Sequence, residues 1–246
     1  MPESLELILP DWPAPRHVRA CFSTRVGGVS QGRYAALNLA THVGDDPQSV
    51  QQNRARLQAH LPAGPCWLEQ VHGATVVDAT HAANGARADG AISRQAGVVC
   101  AVMTADCLPV LFCTADGRAV GAAHAGWRGL AAGVLENTLT ALQAAPTGVM
   151  AWLGPAISQT AFEVGTEVRE AFVGRLPAAA EAFVATGPGK WHADLYLLAR
   201  QRLRAAGVSQ IFGGGLCTYS DSRRFFSARR DGTQSGRMAG LVWIDA

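Results

Sequence analysis

The stretch VMTADCLPVLF, residues 102–112, holds two apolar runs that meet at a polar turn. GVVCAVMT (97–104) leads into it and LPVLFCT (108–114) completes it. Short unbroken apolar runs bounded by polar or turn-forming residues read as strands buried on both faces. Asp106 breaks the first ladder, and Pro109, with no N–H to donate, restricts the second. Cys107 therefore stands at a strand junction. VGAAHAGWRGL (120–130) repeats the arrangement, with His124 closing an apolar run and Gly126 opening a helix. Strand ends are where a scaffold aims side chains into a shared pocket, so a thiol and an imidazole at two such ends are candidates for chemistry.

The flanking chain supplies partners for these strands. Residues 18–23 read as a strand followed by the glycine-rich turn STRVGGVS, and residues 44–61 as a helix capped by Asp46 with Pro47 in its first turn. CWLEQVHG, ATVVDA, VMAWLGP, SQIFGGG and GLVWID read as further strands. Residues 126–145 have the apolar recurrence of one helix (Leu130, Val134, Leu135, Leu139, Leu142), with Pro146 beyond its end. Helices are also expected at 166–176 and at 194–207, the latter capped by Asp194 and stopped by Gly207. Strands and helices interleave without a regular βαβ rhythm. The fold class expected is α/β of the mixed α+β kind, mixed β-sheets flanked by helices, and not a doubly wound sheet. No linker or repeat divides residues 1–246, which are expected to form one domain.

Composition narrows the function classes. With 48% hydrophobic and 16% charged residues, the chain can bury a sizeable core. A net charge of +2 and no long basic run predict no nucleic acid and no membrane as partners. Six cysteines at irregular spacing, with no CxxC pair and no leader pattern at 1–12, predict free thiols in a cytoplasmic protein.

Of the seven histidines, His72 and His124 adjoin apolar runs and glycines, and the others sit in polar or helical surroundings that suit the surface. Two histidines and Cys107 are a donor set that zinc accepts, and three protein ligands leave a fourth position open, the pattern of a catalytic site. The same residues also suit a metal-free hydrolase with Cys107 as nucleophile and His124 as base. On spacing alone a third reading stays open, in which Cys107 is a small buried hydrophobe and the histidines are satisfied core or loop groups. Cys21, Cys100 and Cys113 read as core, and Trp67 and Trp127 as packing. Arg25 in STRVGGVS reads either as a guanidinium beside an anion-binding glycine turn or as a solvated surface residue. Asn38 in ALNLA and Arg229 in FFSARRDG are open between ligand contact and scaffold.

STRVGGVS, LNLATHVGDDP, NRARL, WLEQVHG, VCAVMTADCLPVLF, AAHAGWRGL, AWLGPAI, FEVG, LARQRL, CTYSDSRRFFSARRD and GRMA occur in this order from about residue 20 to the C-terminus. This series resembles the YfiH family, whose members carry the labels polyphenol oxidase, laccase-domain protein and purine nucleoside phosphorylase. The resemblance implies a fold shared with the cysteine hydrolase domain of the cytotoxic necrotizing factor toxins. It implies a zinc site at His72, Cys107 and His124, with Asp106 and Gln70 as candidates to orient a ligand or water. It further implies phosphorolysis of adenosine, inosine and methylthioadenosine, with adenosine deamination alongside.

Under that reading the partners are a small-molecule nucleoside and phosphate, Arg25, Asn38 and Arg229 are expected to bind substrate, and the protein is a monomer or homodimer. Another activity credited to the family is amide hydrolysis that edits muramyl cell-wall precursors. True multicopper chemistry is not expected, because several coppers need many histidines, largely in His-x-His pairs, and this chain has seven histidines and no such pair. Copper in the same three-ligand site in vitro is compatible with the donor set. The chain departs from the family pattern at Ala228, where a tyrosine is usual, and in a loop after it, 231–239, that is a residue longer.

Overall fold

The computed structural model describes residues 4–245. The junction at residues 105–107 links two different sheets. Cys100–Thr104 belongs to a four-stranded antiparallel sheet, in the order Leu7–Ile8, Val18–Ser23, Met238–Ile244, Cys100–Thr104. Leu108–Thr114 belongs to a six-stranded mixed sheet, in the order Gln210–Gly213, Val149–Leu153, Leu108–Thr114, Val120–Ala125, Gly90–Ser93, Val76–Asp78. The pairs at its two edges are parallel and the inner pairs antiparallel.

Side-chain alternation explains why both strands are apolar throughout. Successive residues of a strand point to opposite faces, so a strand with a core on each side needs an unbroken apolar run. Cys100 and Val102 join Leu111, Cys113, Val120 and Ala122 in a core between the two sheets. Leu108, Val110 and Phe112 point the other way, into a core shared with the helices Val134–Leu142 and Leu195–Ala205. Ala101 and Met103 face a third core with Leu37, Leu39 and Leu57, the last on the helix Pro47–Gln58. The layers run helix, sheet, sheet, helix. This is the mixed α/β architecture expected, and among the described residues no helix is long and apolar enough to cross a membrane.

Two caps match the sequence reading. Asp46 accepts from the N–H groups of Gln48 and Ser49, and Asp194 from that of Leu197, each satisfying orphan donors of a first turn. The helix expected over 126–145 is instead two, Trp127–Ala132 and Val134–Leu142, broken at Gly133, whose φ of 102° is left-handed. The apolar stripe continues across the break, which is why periodicity did not reveal it. A small antiparallel sheet of Glu163–Gly165, Lys190–Ala193 and Phe183–Gly187 was not expected either. It is largely exposed and lacks an apolar alternation. CWLEQVHG forms a strand only over Leu68–Glu69, with an isolated bridge from Cys66 to Cys100, and its last residues are a loop that carries His72 outward.

Candidate functional site

The strand ends converge as the sequence suggests. Cys107 sits on the turn between the sheets, His124 near the end of Val120–Ala125, and His72 on the loop after Leu68–Glu69. Their ligand atoms all lie within 4.8 Å of one another, with Cys107 Sγ 3.9 Å from His72 Nε2. The two imidazole rings meet edge to face at 4.8 Å. His124 is buried, Cys107 half-buried and His72 exposed, so the trio is closed behind and open in front. Gly126 makes this approach possible, since a Cβ there would stand 2.9 Å from Cys107 Sγ and 3.0 Å from His72 Cδ2.

A buried carboxylate organises the trio. Asp89 is fully buried and accepts from the backbone N–H groups of Val71, His72 and Gly73, and its Oδ1 lies 2.8 Å from His124 Nδ1. This single side chain fixes the loop bearing one histidine and the ring orientation of the other, leaving His124 Nε2 toward the thiol. It also holds His72 in its left-handed conformation, φ 59°, which a non-glycine residue adopts only when its surroundings impose it.

Asp89 is the residue that sequence reasoning missed. In RADGAIS it looks like any acid in a turn, and only the pairing of Gly90–Ser93 with Val120–Ala125 brings it to His124.

Asp106 and Gln70, expected to orient a ligand or water, fix backbone instead. The Asp106 carboxylate accepts from Thr218 Oγ1, Ser227 Oγ and the Arg229 N–H, and so ties the strained turn at φ 87° to the C-terminal segment. Gln70 bonds Met103 twice, donating to its carbonyl and accepting from its N–H, which locks the His72 loop to the edge of the four-stranded sheet.

The thiols separate electrostatically. Burial pushes Cys21 and Cys113 up to about 12, as expected of inert core cysteines. Burial also acts on Cys107, yet the neighbouring His124, followed by His72, pulls its thiol below the usual range. His124 moves the other way, as the Cys107 thiolate and Asp89 outweigh burial and favour its protonated form. A thiolate beside two imidazoles is a metal-binding or nucleophilic arrangement.

The trio opens into a cavity of about 910 Å³. His42, Arg54, Trp67, Thr104 and Arg237 line it, and so does Ala228, which stands where the family pattern has tyrosine. Arg25, Asn38 and Arg229 do not line it, so the substrate-binding roles expected of them have no support in this geometry. Arg25 donates to the carbonyls of Ala35 and Ser222 and lies over the Phe226 ring at 4.4 Å. On the Gly28 side the turn beside it is filled by the chain itself, because a Cβ there would overlap the Ala36 carbonyl. Asn38 is fully buried and satisfied by Ala40, Asp45 and the Arg237 N–H. Arg229 turns its guanidinium to the Glu163 carbonyl and the Phe162 ring.

Residues 19–245 match the family model described as multi-copper polyphenol oxidoreductase laccase. A Pseudomonas aeruginosa protein named purine nucleoside phosphorylase PA4543 is 55% identical over 238 residues, covering 96% of this chain and 98% of that one. Purine nucleoside phosphorylase YfiH of Escherichia coli K12 is 55% identical over 242 residues, covering 97% and 99%. Among solved structures, protein NMB0706 of Neisseria meningitidis superposes with a TM-score of 0.94 at 52% identity, covering 98% of this chain and 99% of that one. YlmD of Geobacillus stearothermophilus superposes at 0.91 with 33% identity, covering 100% and 98%.

Proposed function

The chain belongs to the YfiH-type family described as multi-copper polyphenol oxidoreductase laccase, and on that premise we propose that it is a zinc-dependent purine nucleoside phosphorylase. Adenosine, inosine and methylthioadenosine are its substrates in this reading, and adenosine deamination accompanies phosphorolysis. The observation that carries the proposal is the convergence of His72, Cys107 and His124 on one cavity, whose volume of about 910 Å³ is large enough to admit a nucleoside and phosphate together. The names of the relatives support the substrate class.

The trio fits a metal on chemical grounds. A tetrahedral site with Zn–S of about 2.3 Å and Zn–N of about 2.0 Å needs ligand atoms about 3.5 Å apart. The ligand atoms here lie within 4.8 Å of one another, with Cys107 Sγ and His72 Nε2 at 3.9 Å, close to that requirement. Asp89 on His124 Nδ1 is the carboxylate–histidine pairing that fixes a metal-ligand tautomer. Zinc bound there supplies a Lewis acid and lowers the pKa of water toward neutrality. Among the described residues this trio is the one group of three metal-binding side chains, which suits a single ion rather than a multicopper assembly. Copper occupying it in vitro is consistent with the same donors.

The reaction requires little covalent chemistry from the protein. An oxygen of hydrogen phosphate bonds to the ribose C1′, the C1′–N9 bond breaks, and its electron pair leaves with the base, which takes up the proton that phosphate gives up. The chain's part is to hold sugar and phosphate in line and to accommodate the base near the trio.

A second reading has an observation of its own. Asp89, His124 and Cys107 form a carboxylate–imidazole–thiol series with the thiol pulled down, the arrangement of a cysteine hydrolase, which would suit amide cleavage in muramyl precursors. Metal content and product analysis separate the two. About one zinc per chain, lost in Cys107→Ala together with phosphate-dependent release of adenine from adenosine, supports the phosphorylase. A metal-free protein that releases no adenine, ignores a chelator and is inactivated by a thiol alkylator supports the hydrolase.

A further inference from the structure

We infer that His42, Arg54 and Arg237 form an oxyanion subsite in the same cavity as the trio, and that it receives inorganic phosphate. The inference rests on the phosphorylase reading for the identity of the anion, and on geometry for the site. The three basic side chains come from separate segments: His42 from the loop before the helix Pro47–Gln58, Arg54 from that helix, and Arg237 from the residue ahead of the strand Met238–Ile244. They lie close enough that, after burial, the charges of Arg237 and then Arg54 depress the His42 imidazole.

Neither arginine has a carboxylate partner among the described residues. Glu69 is the one acidic side chain lining the cavity, and it is exposed and faces Arg87 at 3.6 Å. Burial works against both guanidiniums. No anion offsets burial at Arg54, and at Arg237 the charges of Cys107 and Asp106 offset it only in part, so a bound anion removes a remaining cost at each.

Both are also held in place. Arg54 donates through Nε to the Leu39 carbonyl and lies over the Trp67 ring at 4.4 Å, and its two terminal nitrogens have no partner among the described residues. Arg237 donates to the carbonyls of Thr233, Ser235 and Gly236. Held in this way, Arg54 keeps its two terminal nitrogens and Arg237 its Nε for the oxygens of phosphate.

An independent observation points the same way. Thr104 lines the cavity, is 1% exposed, and its Oγ1 has no hydrogen-bond partner. It pairs with Met238 across the strands, next to Arg237. Buried hydroxyls are nearly always satisfied, and a ligand oxygen would complete this one.

The test uses the metal-loaded protein. Inorganic phosphate is titrated calorimetrically into wild type, Arg237→Met, Arg54→Met and the corresponding lysine variants, and the KM for phosphate is measured by adenine release. Expected are phosphate binding by wild type, a rise of about tenfold or more in Kd and KM in each methionine variant, and partial recovery with lysine. kcat at saturating phosphate should change far less than KM, which a general folding defect would not produce.

Phosphate binding by wild type that both methionine variants lose, with no adenine released by any protein, upholds the subsite and removes the phosphorylase reading. Adenine release with an unchanged KM for phosphate in both variants overturns the subsite and leaves the reading intact. AMP bound through these arginines by a wild type that ignores inorganic phosphate also overturns the proposal, in favour of a nucleotide's own phosphate.

Discussion

His72, Cys107 and His124 share a cavity with His42, Arg54 and Arg237, but the two groups are held in different ways. The trio comes from a buried strand, the turn between two buried strands and a loop, and one fully buried carboxylate, Asp89, fixes two of its members. The basic group stands on a helix, a loop and a strand flank, and its arginines are held by backbone carbonyls and an aromatic ring. Perturbing the first group should therefore act nearly all-or-none, through the metal and the chemistry. Perturbing the second should act in graded steps, through affinity for the anion.

The largest effect is expected from Cys107→Ser. It preserves the shape of the turn and removes the thiolate that the neighbouring imidazoles stabilise. Losing a ligand's share of several kcal/mol of charge stabilisation corresponds to a fall of about 10³-fold in kcat/KM. Metal content by atomic absorption should fall with it. Gly126→Ala comes next, because its methyl group would meet Cys107 Sγ at 2.9 Å and push the ligands apart without touching the core. Melting temperature should hold while zinc affinity falls by about 10²-fold, a loss at the upper end of that for disturbed supporting groups.

Asp89→Asn leaves the volume unchanged but removes the charge facing His124 and one acceptor lone-pair set from the His72 loop. Zinc affinity should drop about 10–100-fold, as for other carboxylates behind a ligand histidine. A competition titration with a chelator of known affinity measures this. Unchanged affinity would show that the trio does not depend on its carboxylate, and the contrast between the two groups would fail.

The two groups also differed in how readable they were. Cys107 and His124 were nominated because each stands where an apolar run meets a turn, but spacing alone left a buried-core reading open, and it was the family resemblance that made them metal ligands. The layers were legible for a related reason: GVVCAVMT and LPVLFCT are apolar without alternation only because a core lies on each side. His42, Arg54 and Arg237 gave no such signal, since arginine and histidine in polar stretches are what a surface also contains. STRVGGVS misled in the opposite direction. A glycine turn beside an arginine has the chemistry of an anion site, but here the chain fills the turn with its own Ala36 and folds Arg25 back onto carbonyls. Local chemistry can nominate a ligand site, whereas only long-range packing decides whether the space is vacant.

Thr104→Val sharpens the description of the basic group with a smaller effect. The substitution keeps the shape and removes a hydroxyl that has no partner within the chain. Deleting an unsatisfied buried hydroxyl should leave stability unchanged or raise it, whereas losing one hydrogen bond to a bound anion should raise the phosphate KM by about two- to tenfold. Thermal unfolding and steady-state kinetics on one preparation measure both. A destabilised protein with an unchanged KM would assign the hydroxyl to the fold.

The smallest effect on function is expected from Arg25→Met, and it makes the most direct comparison between two arginines. Arg25 and Arg237 both donate to backbone carbonyls, and both are partly withdrawn from water. They differ in what else they face: Arg237 lines the cavity, and Arg25 lies over Phe226 between the segments around Ala35 and Ser222. Removing Arg25 leaves two carbonyls without their charged donor and should lower stability by about 1–3 kcal/mol. The KM for phosphate should stay within about twofold, since a distant scaffold change adds nothing to an interaction it does not share. A tenfold rise in that KM, with stability intact, would return the anion to the glycine turn and show that the turn opens in solution to admit it.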